Sequence, residues 1–215
     1  MSKLIPSVIL AGLAAAVSPV AVMVLLAVMM KEKARRNSLL FLLGYTLILI
    51  ALGVVGVYVL KAGGSGTKSK VDGYVDIALG ALCLVAMLVS LRPKKKEAKP
   101  ATRGKDLKAS RAFLLGIIAM LTNMSTIVCY LAGAHEISKA ELGMGESLLS
   151  LALLILVTLT TVLIPIGIYF VFPTRSESTL SSFNAWLSKH SKVIGASVLL
   201  IFGAYLLIRG IEAVA

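Results

Sequence analysis

Charge is what this chain has least of. Charged residues make up 15% of its 215 residues, against roughly 25% in soluble domains. The shortage is sharpest for acids, with 10 Asp+Glu facing 22 Lys+Arg. Together with 58% hydrophobic residues, this excludes an ordinary water-soluble domain and points to a polytopic membrane protein. No apolar segment carries a charge near its middle. Asp72 and Asp76 stand at the start of the third, His135 and Glu136 at the end of the fourth, and Arg209 near the end of the sixth. Ion-coupled pumps usually hold a carboxylate inside the membrane, so this placement argues against ion coupling through side chains. Cysteine is equally sparse. Cys83 and Cys129 are single thiols within apolar segments, without zinc or disulfide spacing, and read as small buried hydrophobes. Nothing matches a Walker motif, so no ATP site is encoded. KAGGSGTKSK (61–70) is glycine-rich but wrongly spaced and follows no strand; it reads as a flexible external loop. An enzyme, a cofactor and a resident metal are therefore not expected.

What is present is length of apolar run. Segments at about 4–30, 38–60, 73–92, 111–133, 147–172 and 191–211 each meet the requirement of about 20 apolar residues for a spanning helix. The first begins like a signal peptide, with Lys3 followed by an apolar core and small residues at Ala14 to Ala16. Its apolar run continues to Met30 before meeting KEKARRN, however, so it reads as an uncleaved first helix. The breaks between segments are short except for PKKKEAKPATRGKDLKAS. This basic linker at 93–110 divides a first three-helix unit (1–92) from a second (111–215).

The basic excess sorts by loop. Stretches 31–37, 92–111 and 173–192 hold 16 basic and 4 acidic residues, and the alternate side holds 6 and 6. The positive-inside rule makes the first set cytoplasmic. Both termini are then extracytoplasmic, and the excess records topology rather than affinity for nucleic acid. The expected fold is an all-α membrane protein of six transmembrane helices, arranged as two inverted three-helix repeats in the cytoplasmic membrane.

The first segment, GLAAAVSPVAVMVLLAVMM over 12–30, is interrupted by Ser18 and Pro19. Proline removes an N–H and clashes with the carbonyl one turn back, and in lipid the freed carbonyl must find a partner. Either the helix is broken and faces an interior site, or it carries a harmless kink. The fourth segment, FLLGIIAMLTNMSTIVCYLAGA, has its polar interruption, Thr122 and Asn123, in the corresponding place. Paired interruptions in the two halves of a transporter point to a binding site; the alternative is hydrogen bonding across a helix interface. Candidate substrate-binding residues are Ser18, Pro19, Thr122, Asn123, Ser125 and Thr126, with Tyr45 and Thr46 from the second segment. Thr158, Thr160, Thr161 and Pro165 are poorer candidates, because membrane hydroxyls often bond their own backbone. Helices three and six also echo each other, with Gly80 matching Gly195. In ESTLSSFNAWLSK (177–189), Leu180, Phe183, Trp186 and Leu187 share a helical face, which suggests a short interfacial helix.

Over residues 17–53 the pattern SPVAVMVLLAVMMKEKARRNSLLFLLGYTLILIALG resembles the GAP family, the glycolipid- or peptidoglycolipid-addressing proteins of the LysE transporter superfamily. The features that carry the resemblance are the Ser-Pro pair, the short basic loop, and Asn37, Phe41 and Gly44 opening helix two. It implies lipid export or relocation across the cytoplasmic membrane, with amino acids and ions moved by more distant relatives. Relatives usually have Asn-Pro in helix four, whereas Met124 follows Asn123 here, which makes a sharp break there an open point. Thiol-disulfide carriers of the same superfamily need a Cys in helices one and four, and helix one has none. The expected partners are membrane lipids and an amphipathic or small-molecule substrate, with homo-oligomerisation left open. The rival functions are a small-solute exporter and a non-transporting membrane assembly factor.

Overall fold

The structure is a computed structural model, and it describes residues 4–63, 70–91, 107–140, 142–171 and 176–214. All the secondary structure described is helical. The first apolar segment forms two helices, α1 (Leu4–Ala16) and α2 (Pro19–Met29), bent by 56° at Val17 and Ser18. A short basic loop leads to α3 (Ala34–Gly63), and α4 (Lys70–Leu91) follows. The second half repeats the plan. Helices α5 (Ala109–Leu121) and α6 (Met124–Lys139) are bent by 70°, and α7 (Met144–Val171) and α8 (Ser176–Val214) complete it. Helix four is thus broken without a proline, and more sharply than helix one.

By length and apolarity, Ala34–Tyr58, Met144–Val171 and Lys192–Val214 can each cross a membrane, and each bent pair can form one further span. Helix α4, apolar over Gly73–Val89, is shorter. Large side chains on the outside are apolar, with Leu149 and Ile201 more than two-thirds exposed; such a surface suits lipid rather than water. Helices α3 and α5 pack together, as do α7 and α1. Helix α1 meets α6 as α5 meets α2, and α2 meets α8 as α6 meets α4. Each pair turns into the other when the two halves are exchanged, which is compatible with a six-span inverted repeat.

Residues that carried the family resemblance do packing work here. Asn37 is fully buried and donates from Nδ2 to the Glu32 carbonyl at 3.0 Å, tying down the basic loop. Phe41 stacks on Tyr45 with ring centroids 6.1 Å apart. A Cβ on Gly44 would stand 2.3 Å from the Phe113 carbonyl oxygen, and one on Gly116 only 2.1 Å from that of Phe41. Glycine at both places lets the backbones of α3 and α5 touch, the usual device of membrane helix pairs. Helices α4 and α8 use the same device at Gly73 against Gly210 and Gly80 against Gly203. The partner of Gly80 is therefore Gly203, and Gly195 faces open space.

Residues 177–189 are helical, but they belong to the continuous 39-residue α8 rather than to a separate short helix. No glycine or proline falls between Ser176 and Ile194 to break it. Trp186 is exposed, with its ring 5.0 Å from that of His190. The side chains of Leu180, Phe183 and Leu187, the loop at 64–69 and the linker at 92–106 lie outside the described residues.

Candidate functional site

The two helix breaks meet. Ser18 is the N-cap of α2, with φ −125° and ψ 81°, and its Oγ accepts from the Ala21 N–H at 3.3 Å. Pro19 follows at the first helical position, where its missing N–H costs nothing. Asn123 holds the corresponding place before α6, with φ −93° and ψ 74°. Its side chain does not cap its own helix. Instead Nδ2 donates across the interface to Ser18 Oγ, and Oδ1 accepts from Ser125 Oγ at 2.9 Å. Ser18 and Asn123 are both buried.

The end of α1 leaves carbonyls that lipid cannot satisfy. Thr126 Oγ1 donates to the Ala15 carbonyl at 2.9 Å, and Thr161 Oγ1 donates to that of Ala16. Both donors come from other helices, α6 and α7, and the Ser18 N–H adds a local bond to the Ala16 carbonyl at 2.7 Å, so the break is closed by its own turn together with tertiary contacts. The Tyr45 hydroxyl lies in hydrogen-bonding reach of Thr126, Ser18 and Asn123. Ser18, Tyr45, Asn123, Ser125 and Thr126 thus form one polar knot within an apolar core, and Pro19 flanks it.

Two candidates lie apart from the knot. Thr122 is exposed and donates to the Ile118 carbonyl of its own helix at 2.7 Å. Thr46 is half-buried and turned about 100° around α3 from Tyr45. Among the α7 hydroxyls, Thr158 and Thr160 bond the carbonyls of Leu154 and Val157 in their own helix. Thr161 does not, and sequence reasoning placed it too low. The available signal was its position four residues before Pro165, a proline that strips the Thr161 carbonyl of its usual donor.

Beside the break lies a cavity of about 310 Å³. Its wall is mostly apolar, including Leu13, Val17, Ile164 and Pro165, with Ser18 and Thr161 supplying hydroxyls. Leu13 and Ile164 are more than half exposed, so the cavity opens sideways between helices. Among the described residues no charged side chain lines it. The first turns of α2 and α6 both start at the knot, and a helix N-terminus carries about half a positive charge from its aligned peptide dipoles. The arrangement can therefore hold a hydroxyl-rich or singly anionic group at the knot and an apolar chain beside it.

Two features away from the knot escaped the sequence reading. Cys83 on α4 and Cys129 on α6 are buried and free, as expected, but their thiols lie in hydrogen-bonding reach of each other. Asp76, at the start of the third segment in sequence, lies inside α4 and inside the protein, so the charge placement no longer argues against ion coupling through side chains. Asp76 is 1% exposed and sits in an ion network with His135, Lys139 and Arg209. The signal was present in the charge alternation, since every one of these residues falls on the same side of the chain's loop pattern.

No curated protein and no solved structure matches the chain. A family model described as Sap, the sulfolipid-1-addressing protein, matches residues 8–212, in keeping with the GAP-type resemblance, and the chain belongs to that family.

Proposed function

We propose that this membrane protein exports an amphipathic, lipid-linked substrate across the cytoplasmic membrane, as a transporter or flippase-like protein of the LysE superfamily type. The observation that carries the reading is the Ser18–Asn123 contact, where two broken helices from opposite halves join beside a laterally open apolar cavity. Discontinuous helices whose N-termini converge near the midplane are where membrane transporters hold polar substrate groups. The absence of charged side chains from the cavity wall disfavours a free amino acid, whose two charges are costly to bury unpaired. A glycolipid fits better. Its headgroup is mostly hydroxyl, and its tails can stay in lipid while it enters sideways. A single sulfate, as the family's name suggests, suits the two helix N-termini. Ser18, Pro19 and Thr161 line the cavity and would contact the headgroup, while Tyr45, Asn123, Ser125 and Thr126 stand behind Ser18 and would hold it in place.

The test is the leaflet distribution of envelope glycolipids. Deleting the gene is expected to shift one such lipid toward the cytoplasmic leaflet and leave amino-acid efflux unchanged. Asn123→Leu should reproduce the deletion at normal protein abundance, because leucine suits a lipid-packed helix while removing the contact to Ser18. Reconstituted vesicles that export lysine and move no labelled glycolipid would decide for the small-solute exporter. Full function of Asn123→Leu would favour an assembly factor.

A further inference from the structure

The ion network between α4, α6 and α8 contributes none of the residues that line the cavity. Lys139 Nζ lies 2.8 Å from Asp76 Oδ2, and Arg209 Nε lies 3.9 Å from the same oxygen. Arg209 also donates to Glu136 Oε2 at 2.8 Å, and Lys139 reaches Glu136 Oε1 at 3.7 Å. Two carboxylates and two cations balance, so the network is neutral when the imidazole is neutral. The remaining Asp76 oxygen, Oδ1, is buried without a hydrogen-bond donor and faces His135 Nε2 at 3.7 Å. The Asp76 side chain is 2% exposed and that of His135 is 4% exposed. Tyr205 on α8 stands beside Arg209. Buried ion networks stabilise little once desolvation is counted, and ionisable groups inside membrane proteins commonly mark proton relays.

We propose that Asp76 and His135, set between Lys139 and Arg209, form a proton-binding site that couples substrate movement to the proton gradient. The inference rests on the transport reading above. The proton is taken up on the His135 imidazole, which faces the unpartnered Asp76 oxygen. The resulting imidazolium donates toward Asp76 Oδ1 and leaves the network with one surplus positive charge. Arg209 is anchored on Glu136 at 2.8 Å whereas Lys139 reaches Glu136 only at 3.7 Å, so Lys139 is the cation whose hold on the network loosens. Arg209 keeps Glu136, so α8 stays tied to α6 while the hold of α6 on α4 changes. The consequence reaches the knot because α6 carries both. Asn123 stands just before the first turn of α6, and His135 lies 12 positions further on, about 18 Å along the helix. By the charge alternation the network faces the extracytoplasmic side, where protons would arrive in exchange for exported lipid.

The test has two readouts on the full-length protein. In detergent, proton uptake after small pH steps is followed with an indicator dye across the range in which the protein stays folded, and His135→Gln should take up about one proton fewer than wild type. His135→Gln removes no formal charge from the neutral network, so it carries the test should Asp76→Asn fail to fold. In vesicles containing a fluorescent glycolipid, an acidic exterior should speed wild-type movement at least about fivefold, the low end of ordinary coupling between sites. His135→Gln should still move lipid but ignore the pH gradient. Equal proton uptake by wild type and His135→Gln would overturn the proposal. So would wild-type lipid movement indifferent to the gradient. Failure of the transport reading looks different: no glycolipid moves at any gradient, while the His135→Gln deficit in proton uptake persists and upholds the proton site.

Discussion

Ser18 performs two tasks with one oxygen, capping α2 and accepting from Asn123. An Asn123 variant therefore leaves Ser18 still bonded to its own helix, and its stability cost stays near the average of about 0.6 kcal/mol for interhelical hydrogen bonds in membranes. Thr161 is in a different position. Its hydroxyl meets the Ala16 carbonyl at the end of α1, which the Ser18 N–H also reaches at 2.7 Å. Thr161→Val keeps the shape and removes the donor from α7. We expect it to lower stability by about 0.5–1.5 kcal/mol, the net range for one intramolecular hydrogen bond, because the Ser18 N–H still satisfies the carbonyl. Thr160→Val, whose hydroxyl only returns to Val157 in the same helix, should cost less. Thermal unfolding of the two purified variants in one detergent checks the order, and equal melting temperatures would contradict it.

At the scale of the element, helix four shows how a break survives without proline. The backbone of Asn123, at ψ 74°, nearly matches that of Ser18, at ψ 81°, and Ser18 does precede a proline. A following proline excludes the α region, so both residues hold a conformation that proline would enforce. In helix four it is enforced by the reach of the Asn123 side chain to Ser18 and by Thr122 bonding back to Ile118. Met124 occupies the first helical position of α6, where an N–H has no partner within the helix. Met124→Pro is therefore expected to be tolerated and to raise stability by about 0.4–1 kcal/mol through the unfolded chain. A fall in melting temperature with this variant would show that the break needs the Met124 N–H or its side chain.

Across the whole molecule, the helix contacts are compatible with two inverted halves, with α4 packed against α8 through facing glycines. By the positive-inside rule the 16-to-4 charge split predicts the sides of that arrangement. Single cysteines introduced as Gly64→Cys and Ala101→Cys, in a chain with Cys83 and Cys129 replaced by alanine, should separate under an impermeant thiol reagent on intact cells. Gly64→Cys is expected to label and Ala101→Cys to stay protected. The reverse pattern would invert the protein and place the Asp76 network on the cytoplasmic side.

Composition and apolar run length by themselves determined that this is a helical membrane protein. A bilayer sets a minimum length of apolar helix, and that requirement is written directly in the chain. The places of the two breaks were equally legible, since Ser18-Pro19 and Thr122-Asn123 are local interruptions with local causes. Only the tertiary structure decided what each polar group does. Whether a hydroxyl serves its own helix, as Thr122 and Thr158 do, or a neighbour, as Thr126 and Thr161 do, depends on which helix end lies opposite. The same holds for Asp76, near a helix end in sequence yet buried, because His135, Lys139 and Arg209 arrive from helices far along the chain. Helix formation follows from nearby residues and the solvent, whereas satisfaction of buried polar groups follows from packing between segments that one-dimensional order does not bring together.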